Sequence, residues 1–226
     1  MQDVVDPIER RTSTDEIFDQ LYREIASLEL LPGTKLSEVE VAKRFSVSRQ
    51  PVRDAFGRLA NMELLKVRPQ KATRVRGFSL ERIAHVRFVR LAVELEVLHQ
   101  ACKVWDSTKA KALQATLDEQ HEVLKKGQPE KFHSLDNRFH QQICELSECQ
   151  KAIEVITDSR RKLDRLCALS LGREKEAATL VEDHVKLAVA LENRSIADAT
   201  NITRRHLGRL DSTIEHIHIT HSEYFE

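Results

Sequence analysis

The chain has 226 residues, 36 Lys/Arg balanced by 36 Asp/Glu, only six glycines and five prolines, and 5% aromatic residues, a composition that favours a largely helical soluble protein. No apolar run approaches the ~20 residues that span a bilayer, the acidic start MQDVVDPIE does not read as a signal peptide, and there are no repeats or low-complexity tracts. The cysteines at 102, 144, 149 and 167 show no CxxC pairing, so reduced, mostly buried thiols in a cytoplasmic protein are expected.

The balanced charge hides an asymmetry. Between Lys35 and Arg76 stand eleven Lys/Arg and four Asp/Glu, a local excess of +7 that the rest of the chain offsets. A basic segment on a neutral protein is an electrostatic footprint for phosphate, although a well-solvated surface can have the same composition.

In chain order, STDEIFDQLYREIASLEL predicts a first helix. Thr14 can cap it, Asp15 and Glu16 suit its positive end, Ile17, Leu21, Ile25 and Leu28 share one face, and Leu31-Pro32-Gly33 ends it. A second helix runs roughly from Glu38 to Phe45 with Val41, Ala42 and Phe45 inward. Ser46-Val47-Ser48 is long enough only for a turn. Ser48 then caps a third helix, whose first turn tolerates Pro51 because an N–H there has no helical partner. Val52, Ala55, Phe56 and Leu59 form its buried side, which aims Arg49, Gln50 and Arg53 outward. Helix-turn-helix proteins read bases from this place: a helix N-terminus favours phosphate, and arginine matches guanine edges. Two β-prone pieces, Leu64–Val67 and Thr73–Val75, flank Pro69-Gln70-Lys71-Ala72. They predict a hairpin wing whose basic tip, with Lys71, can touch the DNA backbone or minor groove.

The stretch LPGTKLSEVEVAKRFSVSRQPVRDAFGRLANMELL resembles the winged helix of GntR-type bacterial transcription regulators, whose pattern is PGxxLxExxLAxxLxVSRxPVRxALxxLxxEGL. The similarity covers about residues 14 to 76 and is tightest from Ser48 to Arg53. It implies a DNA-binding unit with Arg49 and Arg53 as the foremost contacts, supported by Ser48, Gln50 and Lys43 or Arg44. Three positions depart from the pattern: Val39 stands where many relatives carry a DNA-contacting arginine, and Glu63 and Ala72 replace glycines before the wing and at its tip.

A connection at Arg76–Ser79 divides the expected winged unit, 1–77, from a helical unit, 78–226. Ser79, Ser107, Pro129, Ser147, Arg173 and Ser195 mark six helix starts, and Gly127, Gly172 and Asn193 mark stops, which predicts an antiparallel bundle of about six helices. The segment Leu80–Val104 is apolar nearly all round and belongs at the centre. On it, Arg90 shares a side with Ile83, Val86, Val93 and Val97. A buried guanidinium needs an anion, and Glu94 at i+4 can supply it; a bound carboxylate is the functional alternative.

Four polar residues stand at core positions. Asp136 and His140 are i,i+4 neighbours beside the stripe Phe132, Leu135, Phe139, Ile143, while His184 and His206 interrupt apolar stripes of the last two predicted helices. His184 lies ten residues before Arg194 and His206 twelve after it. At ~1.5 Å per residue, an antiparallel pair turning there brings both imidazoles to nearly one depth. Three imidazoles and a carboxylate suit zinc first, with nickel, manganese, iron or copper also compatible; each histidine alone could equally be a satisfied core residue. Cys144, one turn past His140, reads as a buried thiol, His133 as exposed, and His216 and His218 as surface.

DNRFHQQI, VEDHVKLAVAL and ITRRHLGRL are similar to the D-x-x-F-H, E-H and H-L motifs of the FCD ligand-binding domain found in the FadR branch of these regulators. By that resemblance Asp136, His140, His184 and His206 are the metal ligands, the metal keeps positions open to water or an organic acid, and the R-x-x-x-E of Arg90 and Glu94 matches a signature of the domain's first helix. Asp183 stands where the usual glutamate precedes the histidine. The chain is therefore expected to be mainly α: a winged helix-turn-helix followed by an all-α bundle. The expected function is transcription regulation, by a homodimer on an inverted-repeat double-stranded operator, modulated by a small carboxylate effector at the metal and Arg90. A metal-dependent hydrolase or lyase with an accessory basic module draws on the same ligands. The sequence places no separate general acid or base beside them and has no Gly-rich phosphate loop or serine-nucleophile motif.

Overall fold

The structure, a computed structural model, describes residues 11–68, 71–128, 131–170 and 174–226, without the side chains of 107, 109, 167, 170 and 174–176. The chain divides into two compact units, Met1–Gly77 and Phe78–Glu226.

The first unit contains α1 (Ser13–Ala26), β1 (Lys35–Leu36), α2 (Glu38–Arg44), α3 (Arg49–Asn61), β2 (Leu65–Arg68) and β3 (Lys71–Val75). Thr12, not Thr14, caps α1. Its hydroxyl accepts from the Asp15 amide at 3.2 Å and its own amide donates to the Asp15 carboxylate at 3.1 Å. The reciprocal pair needs an acid three residues on, and from Thr14 that position is the apolar Ile17. Ile17, Leu21 and Ile25 are fully buried in one core with Val52, Ala55 and Leu59 of α3. Ser48 occupies the N-cap of α3 but accepts no capping hydrogen bond. The hairpin pairs antiparallel as expected, and β1, which the sequence reading missed, extends it to the order β1-β3-β2. Of the proposed wing tip, Pro69 and Gln70 lie outside the described residues; Lys71 and Ala72 are exposed in β3.

Helix ends explain most boundary differences. Leu28, Ser46, Glu63, Glu148 and Arg194 all take left-handed φ between 53° and 64° just after a helix. At Val47, Leu64, Cys149 and Ser195 the following amide closes back onto the carbonyl five residues earlier, at 2.8–3.0 Å. These are glycine-type helix stops built from other residues. α1 thus ends at Ala26, well before Leu31-Pro32-Gly33.

The second unit contains α4 (Leu80–Val104), α5 (Ser107–Lys125), α6 (Phe132–Leu146), α7 (Gln150–Ser170), α8 (Glu174–Glu192), α9 (Ile196–Gly208) and α10 (Leu210–Thr220). α4 is central, packed against α6, α7, α8 and α9. Ser79 and Ser195 cap α4 and α9 as expected. Ser147 instead closes α6, its hydroxyl donating to the Cys144 carbonyl at 2.9 Å, and α7 begins at Gln150. The expected last helix divides at Arg209 into α9 and α10. Pro129, Gly172 and Arg173 lie outside the described residues. Phe78 and Phe225 form a β-bridge and pack their rings 5.3 Å apart, fastening the end of the described chain beside the start of α4.

Candidate metal centre and nucleic-acid interface

α6, α8 and α9 bring Asp136, His140, His184 and His206 together in the interior. One ligand-type atom from each lies within 4.8 Å of all the others, and all four residues are buried. The His184 and His206 rings stand 4.7 Å apart, so the depth match across the α8–α9 turn holds. Asp136 Oδ1 is 3.2 Å from His184 Nε2 and 3.8 Å from His140 Nε2, yet among the described residues Oδ1, both nitrogens and His206 Nδ1 find no hydrogen-bond partner. Buried polar atoms are nearly always paired, and each such vacancy costs roughly 1–3 kcal/mol. Several at one spot, all of metal-ligating type, fit a bound cation.

The outer atoms of these side chains are held. His140 Nδ1 is 2.9 Å from Glu94 Oε2, and His184 Nδ1 is 2.9 Å from Gln120 Oε1. Each acceptor selects the tautomer that protonates Nδ1 and leaves the Nε2 lone pair facing the cluster. Burial pushes the His184 ring down to about 3, with the neighbouring His206 adding to the fall and Asp136 opposing it, so the imidazole is neutral and competent as a ligand. Burial by itself would raise the Asp136 carboxyl, but the Arg160 guanidinium, bonded to Oδ2, together with His184 and His140 holds it well below the usual carboxylate range.

Asp183, which the sequence reading set outside the ligand set, is also buried. It accepts from Arg205 at 3.0 Å and from Arg209 Nε at 2.5 Å, and lies 3.7 Å from His206 Nδ1. It therefore ties α8 to the α9–α10 junction, beside His206. Arg90 has the partner expected at i+4: its Nε donates to Glu94 Oε1 at 2.6 Å. The other oxygen of Glu94 faces His140, so one buried carboxylate links Arg90 to the cluster. Gln120, Arg160 and the bridging role of Glu94 were missed. The signal existed for Arg160, which falls on the buried side of α7 with Ile156 and Leu163, as Arg90 does on α4. Cys144 is a buried thiol that burial pushes up to about 12, His216 and His218 are exposed, and Cys167 has no described side chain. His133 is not simply exposed; its Nε2 lies 3.1 Å from Asp164.

In the first unit Ser48, Arg49, Gln50 and Arg53 are exposed along the start of α3. Arg49 Nη2 and Arg53 Nε converge on the same Glu38 oxygen at 2.8 and 2.9 Å, which sets the two guanidinium heads side by side. Gln50 donates to Asp54 at 2.9 Å. Arg44 differs: both terminal nitrogens bond the buried carboxylate of Glu24, so it ties α2 to α1. Lys71 is exposed on β3.

Comparison with known proteins agrees with this layout. Residues 13–75 match the family of bacterial regulatory proteins, gntR family, and residues 85–209 match the FCD domain. The chain is 30% identical over 210 residues to the HTH-type transcriptional repressor RspR of Escherichia coli (strain K12), covering 93% of this chain and 92% of that one. It is 32% identical over 124 residues to the gluconate operon transcriptional repressor of Bacillus subtilis (strain 168), covering 55% and 51%. In fold it is similar to the E. coli McbR/YncC structure, with a TM-score of 0.75 at 19% identity over 92% of this chain and 99% of that one. The matched families and relatives are regulators of transcription and not enzymes, which removes the hydrolase or lyase alternative. No described helix is long and apolar enough to cross a membrane. The chain belongs to the GntR family of bacterial transcription regulators and carries an FCD domain.

Proposed function

We propose that this regulator senses a small carboxylate at a divalent metal held by Asp136, His140, His184 and His206, and that occupancy there modulates operator binding by a cytoplasmic homodimer. The reading rests on the set of buried, unpartnered ligand atoms that converge in the second unit. Three imidazoles and one carboxylate suit zinc foremost and nickel, manganese or iron as well; when bound, the metal supplies a Lewis-acidic anchor for an organic acid. Glu94 and Gln120 hold the His140 and His184 rings with Nε2 inward, and Asp183 lies beside His206. Arg90 gives Nε to Glu94, and among the described residues no hydrogen bond is made by its terminal nitrogens, an edge of the fork suited to a carboxylate. A carboxylate drawn to Arg90 competes with Glu94, and through Glu94 it acts on His140. Arg49 and Arg53 read base edges, Ser48, Gln50 and Lys71 meet the backbone, and Arg44 supports α2 from Glu24. Each protomer then serves one half of an inverted repeat, with half-sites about one DNA turn apart.

The test combines metal analysis with operator binding. Wild type should retain one divalent ion per chain after dialysis, and His184→Ala combined with His206→Ala should retain none. An organic acid from a calorimetric screen should shift operator affinity only in the metal-loaded wild type. Full metal retention by the double variant overturns the reading.

A further inference from the structure

Arg49 and Arg53 share Glu38, whereas Gln50, the third outward side chain at the start of α3, has a carboxylate of its own. Its Nε2 donates to Asp54 Oδ1 at 2.9 Å, one turn further along the exposed side of the helix. A carboxylate only accepts, so the contact decides which way round the Gln50 amide sits. The NH2 group is turned to Asp54, and Oε1 is turned away from it. On α5 the same i,i+4 pair recurs, Gln114 Nε2 donating to Asp118 at 2.9 Å, and there it supports a helix surface. On α3 the pair lies beside Arg53, in the turns that a helix-turn-helix lays in the major groove, so the fixed amide also decides what Gln50 can read.

We propose that Asp54 is a positioning residue for base selection: by holding the Gln50 amide it makes Gln50 a reader of adenine, close to the guanines faced by Arg49 and Arg53. This rests on the α3 reading above and refines it at one residue, taking Gln50 from the phosphate backbone to a base edge. In the major groove adenine shows an amino donor at N6 and an acceptor at N7, whereas guanine shows acceptors at both O6 and N7 and thymine an acceptor at O4. With Oε1 forward, Gln50 accepts from adenine N6 and gives its second N–H to N7. Before guanine the same oxygen meets O6, acceptor against acceptor, and the amide cannot turn over without losing Asp54. Cytosine offers N4 alone, a single contact in place of a bidentate pair. Without Asp54 the amide turns freely and suits either kind of edge. Gln50 and Arg53 stand three apart on the helix, so their Cβ atoms are ~5–6 Å apart, and stacked bases rise ~3.4 Å; the adenine therefore falls within about two base pairs of a guanine. The charge of Asp54 adds to selectivity, because it repels the phosphates of every sequence alike.

The experiment is selection of sites from a library of random duplex DNA by the full-length chain, followed by fluorescence anisotropy on the selected site and its single-base variants. Wild type should select guanines that disappear from the sites selected by Arg49→Ala or Arg53→Ala. Within about two base pairs of one of them it should select an adenine, preferred ~10-fold or more over guanine. Gln50→Ala should lose the adenine and keep the guanines. Asp54→Ala should cut the adenine preference to ~3-fold or less, again with the guanines kept and the melting temperature little changed. Asp54→Glu, which retains an acceptor-only group one turn from Gln50, should restore most of the preference; a merely structural role for Asp54 would move stability and leave base choice alone. An Asp54→Ala protein with the wild-type adenine preference overturns the proposal, as does a Gln50→Ala protein that keeps the adenine. Loss of a cytosine elsewhere in the site on Asp54→Ala, with the adenine kept, overturns it in favour of direct base contact by Asp54. Guanines that survive both arginine substitutions overturn the α3 reading itself, so the two failures are distinguishable.

Discussion

The two units keep their functional groups in opposite environments. On α3 the arginines are exposed, share a single surface carboxylate, and come from one helix. In the bundle the histidines and Asp136 are buried, come from three helices, and are braced by groups from α4, α5, α7 and α8. A surface site can lose a side chain without disturbing the fold, whereas a buried polar cluster cannot, because every truncation strands a partner.

The largest expected effect tests that contrast on the buried side. Asp136→Ala removes the buried carboxylate that Arg160 bonds and with it the ion pair between α6 and α7. Urea denaturation of the metal-free variant should show a loss of ~3 kcal/mol or more. A loss below about 1 kcal/mol would remove the distinction between the units. Next come Arg49→Ala and Arg53→Ala, each of which should weaken operator binding by about 10- to 100-fold with melting temperature unchanged. Fluorescence anisotropy against promoter and unrelated DNA would check both halves of that statement.

A third prediction concerns pH. Burial lowers His184 to about 3 and lowers His140 in the folded protein, so the unfolded chain binds more protons at these sites. The sign follows: the metal-free protein should lose stability as pH falls below the unfolded histidine range near ~6.5, at up to ~1.4 kcal/mol per pH unit for each such group. The carboxylates held low by their partners, Asp136 and Asp183, add their own loss only below about pH 4, where unfolded acids begin to protonate. A metal-free stability curve flat between those limits would contradict the description of the buried rings. The smallest effect is expected at Glu63, which holds a left-handed φ of 59° where GntR patterns carry glycine. Glu63→Gly should raise stability by ~0.5–1 kcal/mol, read as a small rise in melting temperature.

The exposed start of α3 was almost wholly legible because its signals are local: a turn, a proline in the first helical turn, and an apolar period that leaves Arg49, Gln50 and Arg53 outside. The four-residue cluster was legible for a different reason. Histidines at core positions are conspicuous, and helix rise converts their sequence distances into depth. The bracing groups were not legible. Gln120 and Asp183 act across helices whose rotation no local pattern specifies, and the double use of Glu94 depends on α6 lying beside α4. The Arg44–Glu24 ion pair also required tertiary information, since nothing local in the sequence brings α2 beside α1. Helix ends failed where residues such as Leu28 and Glu148 took the conformation usually assigned to glycine.

Anomalous diffraction from crystals of the zinc- or manganese-loaded protein tests the central claim most directly. The account predicts one strong peak per chain, in ligating contact with Asp136 Oδ1, His140 Nε2, His184 Nε2 and a ring nitrogen of His206. A peak elsewhere, or none between those four side chains in a protein that still binds its operator, would contradict it.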